Sequence, residues 1–367
     1  MNMISRIFDA ISRRIDGPLM AALALTLALG LTVVYSASGG ASFDRVLSQG
    51  RNLAMAIFAL WIFAQVHPQL LMRLALPAYV VGLALLVGVA LFGEVRNGAR
   101  RWLNLGFTTI QPSEIMKIAV PLVLAWYFHR REEGLGMRDF AVAALLLALP
   151  VGLIVRQPDL GTALLIFASG FFVIFLAGLS WRVIASLVAA GAVSLPFLWS
   201  VMHDYQRKRI LTLLDPSEDP LGAGYHIIQS IIAIGSGGIL GKGWLNGTQA
   251  QLDFVPERST DFIFAVFGEE FGLVGTVALI ALYVLIIARG MMIAANATNT
   301  FSRLTAGAIT LTFFTYAFVN MGMVSGILPV VGVPLPMISY GGTALLSMLV
   351  GFGILMSIST HKQLVSS

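Results

Sequence analysis

Residues Gln251 to Gly275 read QLDFVPERSTDFIFAVFGEEFGLVG, a polar segment that runs directly into an apolar one. Six ionisable side chains, Asp253, Glu257, Arg258, Asp261, Glu269 and Glu270, crowd into this stretch of a 367-residue chain that is 57% hydrophobic and only 11% charged. Soluble domains carry about 25% charged residues, so 11% leaves charge for loops and a few intramembrane positions. The mean hydropathy of +0.86 and repeated apolar runs of about 20 residues match a bilayer core. The chain is an integral membrane protein on this reading, and the apolar half of the quoted stretch begins a span.

Working outward, the hydropathy pattern predicts an all-α polytopic protein with ten transmembrane helices, bounded approximately at 18–37, 52–66, 74–92, 112–129, 140–156, 160–180, 183–202, 262–288, 304–328 and 338–360. Pro329, Pro334 and Pro336 divide the last charge-free stretch into two helices. Residues 1–367 form one integral membrane domain, and 203–260 is its large extracytoplasmic loop, between helices 7 and 8. The basic opening MNMISRIFDAISRRID precedes an apolar run too long for a signal peptide core, so the first span is read as uncleaved. Cysteine is absent, which excludes disulfides and thiol chemistry.

Orientation is weakly determined. With the N-terminus cytoplasmic, Lys and Arg divide eleven to eleven between the two sides, with Lys117 inside a span. The long loop holds five of the outer eleven, and long loops count little in the positive-inside rule. Arg6, Arg13 and Arg14, with HRREEGLGMR between spans four and five, favour an inside N-terminus. The outer cations then call for an anionic ligand.

Three even-numbered spans begin with an acid on that outer side: QPSEIMK, RQPDLGT and RSTDFIF. Pro112 and Pro158 suit a first helical turn, where the helix dipole also favours Glu114 and Asp159 as first-turn acids. Lys117 lies three residues after Glu114 on the same helix face. An unpaired lysine in a span costs about 2.5–3.5 kcal/mol, which makes the two a candidate intramembrane ion pair. Arg96, Arg100, Arg101 and Trp102 precede span four. They read either as interfacial anchors or as a guanidinium cluster suited to a pyrophosphate. Asp261 is either a first-turn acid behind a Ser259 or Thr260 cap, or a carboxylate presented to the large loop. Glu269 and Glu270, about two turns deeper, require a hydrated cavity or a cation.

The five histidines have no metal-ligand spacing, so no metal is assigned, though a divalent cation such as Mg remains compatible with a pyrophosphate. GSGGILGKG lacks the serine or threonine of a phosphate loop, and its surroundings read better as a short re-entrant or amphipathic helix. No nucleic-acid motif appears.

RWLNLGFTTIQPSEIMK, RQPDLGTALL, GTQAQLDFVPERSTDFIFAVFGEEFGLVG and LPVVGVPLPMISYGGTALLSMLVGFGILMS together resemble the SEDS family (shape, elongation, division and sporulation), and its elongation branch most. The resemblance covers essentially the whole chain. It implies a glycosyltransferase that polymerises lipid II into peptidoglycan on the outer face of the bacterial inner membrane, with both termini cytoplasmic. It implies a class B penicillin-binding protein and other elongation-complex membrane proteins as partners. The position matching Asp261 is the family's catalytic aspartate. Arg101, Trp102, Glu114, Lys117 and Asp159 match its functional motifs and, with Arg258, form the candidate set for lipid II and the growing lipid-linked chain. A flippase for polyprenyl-linked sugars also explains the cations and the ion pair, but does not need a carboxylate at the outer surface. A structural recruiter of the polymerase is a third reading.

Overall fold

The structure is a computed structural model that describes residues 14–361 except 41–42, 97–98, 105–108, 133, 158, 203 and 219–221. Arg6, Arg13 and Pro158, used in the sequence reading, therefore lie outside the described residues. The helices are α1 (Gly17–Ala37), α2 (Asp44–Gln65), α3 (Pro68–Phe92), α4 (Pro112–Arg130), α5 (Met137–Val155), α6 (Leu160–Leu176), α7 (Trp181–Val201), α8 (Asp204–Leu214), α9 (Ala223–Gly237), α10 (Thr248–Gln251), α11 (Ile263–Ala295), α12 (Thr300–Val324) and α13 (Thr343–Thr360). Among the described residues seven, α1, α2, α3, α5, α11, α12 and α13, are long and apolar enough to cross a membrane, and α6 and residues 181–197 are shorter apolar helices.

The all-α expectation needs one correction. Strands β1 (Glu94–Arg96), β2 (Ala99–Asn104) and β3 (Thr109–Ile110) form a small antiparallel sheet between α3 and α4. Its register pairs Glu94 with Trp102 and Leu103 with Ile110. Three strands this short carry too little periodicity to stand out beside twenty-residue helices.

Packing puts α4, α12 and α13 at the centre, with much of α12 and α13 buried. Helix α13 lies along α2, α3 along α4, and α6 along both α12 and α5. At one end of the bundle Asp16 caps α1 by accepting from the Leu19 N–H, and receives both Arg289 Nε (2.9 Å) and Nη2 (2.7 Å) and Ser359 Oγ (2.7 Å). One carboxylate thus ties α1, α11 and α13 together. Helix α7 leaves Trp181, Val188, Val193 and Phe197 exposed, and an apolar cavity of about 720 Å³ opens between it, α5 and α6.

Helix α11 is broken. Gly272 has φ 62° in the middle of an otherwise helical run, and a side chain there would strike the backbone of Gly241. The glycine-rich segment predicted as part of a short helix supplies the missing hydrogen bonds: Gly238 and Ile239 carbonyls accept from the N–H groups of Leu273 and Val274, at 2.9 and 3.0 Å. The N–H groups of Lys242 and Gly243 in turn donate to the carbonyls of Glu269 and Glu270. Glycine is required here because the two backbones touch. The predicted helix is α9, packed along the first part of α11.

Candidate active site

Asp261 lies just before α11, and the cap residue of that helix is Phe262, with no side-chain cap hydrogen bond. Neither Ser259 nor Thr260 caps the helix, and Asp261 is not in its first turn, so the capping explanation of this acid fails. The loop around Asp261 is instead stitched to the proline-rich segment after α12. Asn320 Nδ2, buried in α12, donates to the Asp261 carbonyl at 2.8 Å and to the Val333 carbonyl at 2.7 Å. Ser339 Oγ donates to the Thr260 carbonyl at 2.6 Å while accepting from the Leu335 N–H, and the Tyr340 N–H donates to the Ser259 carbonyl. Glu257 (φ 48°) and Met337 (φ 62°) hold left-handed backbone on the two sides of this seam, a conformation sparsely populated by non-glycine residues.

The carboxylate itself has no hydrogen-bond or ion-pair partner among the described residues, although it is half-buried. Burial, and then the nearby Glu257 charge, push its pKa up to about 6. An acid that shares its proton near neutral pH and keeps its lone pairs free is suited to accept a proton from a substrate.

A second group lies across the same proline-rich segment. Asp159 is the N-cap of α6, accepting from the Thr162 N–H at 3.3 Å, rather than the first-turn acid predicted from the sequence. Arg101 Nε approaches it at 3.5 Å. A Cβ placed on Gly161 would lie 2.7 Å from the Val331 carbonyl, so the start of α6 presses on the backbone next to Gly332. Trp102 is half-buried on β2, beside Arg101.

The expected pair on α4 forms. Lys117 Nζ is 2.7 Å from Glu114 Oε1, while Glu114 Oε2 accepts from Ser347 Oγ of α13 at 2.6 Å. Tyr316 of α12 lies beside Lys117, whose ammonium is 5.4 Å from the ring centroid. Arg258 points elsewhere: its Nη1 is 2.6 Å from Asp253 Oδ1 and donates to the Ala250 carbonyl.

Glu269 meets its cation within the chain. It is fully buried and accepts from Lys242 Nζ (2.7 Å), the N–H groups of Gln249 (2.9 Å) and Ala250 (3.2 Å), and Thr248 Oγ1 (3.2 Å). Glu270 accepts from Ser36 Oγ of α1. The lysine of GSGGILGKG is therefore a partner for an intramembrane acid. Sequence reasoning missed Tyr316, Asn320, Ser339 and Gly332. The available signal is the polar side chains within apolar helices, together with the proline-rich segment, which in the sequence reads only as a helix break. Among the described residues no group of three or more His, Cys, Asp or Glu is placed to hold a metal.

The profile of the FtsW/RodA/SpoVE family, described as cell cycle protein, matches residues 18–364. The peptidoglycan glycosyltransferase MrdB of Escherichia coli is 51% identical over 355 residues, covering 96% of this chain and 95% of MrdB. MrdB of Helicobacter pylori is 38% identical over 322 residues, covering 86% and 83%. Among solved structures, a chain of a peptidoglycan synthase complex that coordinates polymerization and crosslinking superposes with a TM-score of 0.81 at 35% identity, covering 94% of this chain and 97% of that one. The rod shape determining protein RodA of Thermus thermophilus superposes with a TM-score of 0.70 at 30% identity, covering 93% and 96%.

Proposed function

The chain belongs to the FtsW/RodA/SpoVE family, the SEDS proteins, and from that premise we propose that it is a peptidoglycan glycosyltransferase in which Asp261 is the general base. The observation that carries the assignment of Asp261 is its half-buried carboxylate, without a hydrogen-bond partner among the described residues and held in place through its own backbone by Asn320. The substrate is lipid II. The sugar 4-hydroxyl of one lipid II attacks the anomeric carbon of the lipid-linked chain. A new C–O bond forms, the bond to the pyrophosphate oxygen breaks, and Asp261 takes the hydroxyl proton. Undecaprenyl pyrophosphate leaves, and the Arg101 guanidinium supplies a cation for the developing charge, while the Glu114–Lys117 pair, neutral as a unit, braces α4 against α13 through Ser347.

Ten helices, α1–α7 and α11–α13, cross the bacterial inner membrane as one domain, with both termini cytoplasmic and 203–260 outside. On this topology Asp261, Arg101, Trp102 and Asp159 all lie at the outer face. The apolar cavity between α5, α6 and α7 gives the polyprenyl tail a place within the bundle. Arg258, engaged with Asp253, orders the loop rather than meeting the substrate first.

A single-span class B penicillin-binding protein is the partner, packing on α11 and α12. There Val274, Val277, Val284, Phe314 and Phe318 leave an exposed apolar face. The solved relative in a peptidoglycan synthase complex supports this pairing.

Purified chain in detergent with labelled lipid II tests the reading, because no membrane barrier exists there. Formation of glycan strands is the expected result. Lipid II binding without polymer, with or without the partner, would favour a flippase or a recruiter instead.

A further inference from the structure

Helices α3 and α4 pack against each other along their lengths, and at the end of the bundle away from Asp261 they part around a cavity of about 680 Å³. Its walls are Met72, Leu76 and Pro77 from α3, and Trp126 and His129 from α4; its cationic members are Arg73 and Arg130. Both guanidinium groups are exposed, and neither has a carboxylate partner among the described residues. Arg130 lies over the Trp126 ring, with Cζ 4.9 Å from the centroid. A guanidinium seated on a ring face keeps its in-plane N–H donors for an anion.

The helix dipole accounts for only part of this arrangement. Arg130 ends α4, where a cation is favoured, but Arg73 lies in the second turn of α3 and gains nothing from its dipole. The neighbouring charges are already used: Arg131 lies 4.0 Å from Asp139, and Glu132 faces His129 at 3.4 Å. Among the described residues, two cations without a carboxylate partner therefore line one cleft whose other walls are largely apolar.

We propose that this cleft binds an anionic phospholipid, with Arg73 and Arg130 on the headgroup phosphate, Trp126 at the glycerol level, and Met72, Leu76 and Pro77 against the first methylenes of an acyl chain. A lipid fits the cleft better than a free anion because half its lining is hydrocarbon, and a basic pocket between helix ends is a recurring headgroup site. On the topology proposed above, the lipid belongs to the cytoplasmic leaflet. The binding claim stands apart from the polymerase reading, since it concerns the opposite end of the molecule and is measured without lipid II.

Native mass spectrometry of the full chain in detergent, titrated with phosphatidylglycerol or phosphatidylcholine, tests it. Phosphatidylglycerol should bind more tightly than phosphatidylcholine. Arg73→Gln with Arg130→Gln should weaken phosphatidylglycerol binding by about 30-fold, roughly fivefold for each surface cation. The thermal midpoint of this variant without added lipid should match wild type. Arg182→Gln, an exposed arginine at the start of α7 outside the cleft, should leave binding unchanged. Equal loss from Arg182→Gln would reduce the effect to general surface charge. Equal affinity for the two lipids, or full displacement of phosphatidylglycerol by millimolar inorganic phosphate, would overturn the lipid site.

Discussion

Gly332 faces the Asp261 carboxylate: a Cβ built on Gly332 would lie 3.3 Å from Asp261 Oδ2, and Gly332 holds φ 72°. The proline-rich segment therefore forms one wall around the carboxylate, and its backbone conformation favours glycine. Gly332→Ala should cost about 1–3 kcal/mol in backbone strain and move or crowd the carboxylate. Polymerisation should fall at least tenfold, while the thermal midpoint drops by only a few degrees. Wild-type activity in Gly332→Ala would show that this wall does not shape the site.

Asp261→Asn should lower the rate of glycan synthesis by about 10²–10⁴-fold, the usual loss on removing a general base. Because burial and Glu257 raise the Asp261 pKa to about 6, and because the base works ionised, wild-type kcat/KM should fall as pH drops through about 6 rather than through 4. Stability runs the other way. The folded state holds this proton more tightly than the unfolded chain, so between about pH 4 and 6 stability declines as pH rises. Asp261→Asn should thus be as stable as wild type or more so at pH 8, by at most about 3 kcal/mol. A rate profile with its acid limb near pH 4 would remove the burial argument for this base.

The Glu114–Lys117 pair, with Ser347 and Tyr316 around it, should show strong coupling. Either single alanine leaves a charge in an apolar helix bundle, at about 3–5 kcal/mol, whereas the double alanine removes both charges. Thermal unfolding of the two singles and the double should give a coupling energy of about 1–3 kcal/mol. Additive losses would mean that the two charges act separately.

Glu269 and Lys242 should respond unequally. Glu269→Ala strands Lys242 and the N–H groups of Gln249 and Ala250, and the Ala250 carbonyl in turn holds Arg258. Lys242→Ala leaves Glu269 with its remaining donors. Glu269→Ala should therefore destabilise by about 3 kcal/mol or more, and Lys242→Ala by roughly 1 kcal/mol. Equal effects in calorimetry would show that the carboxylate is not the hub of this loop.

What the sequence determined by itself was the class of the molecule and the identity of several charged residues. Apolar runs matched to a bilayer announce a membrane protein, because no water is present there to satisfy an open backbone. An i,i+3 spacing suffices to place Lys117 on Glu114, since helix geometry alone brings such side chains together. The long motifs are specific enough on their own to identify the family. Contacts between distant segments were another matter. That Asn320 holds the Asp261 backbone, that Gly332 faces its carboxylate, that Asp159 caps α6 beside Arg101, and that Lys242 serves Glu269 beside a break at Gly272 all depend on how the helices pack. Periodicity reports which face of a helix is apolar, but not which loop returns to fill a gap in it. That the Asp261 carboxylate is half-buried with no hydrogen-bond partner among the described residues is also a tertiary property, because its surroundings come from segments distant in sequence.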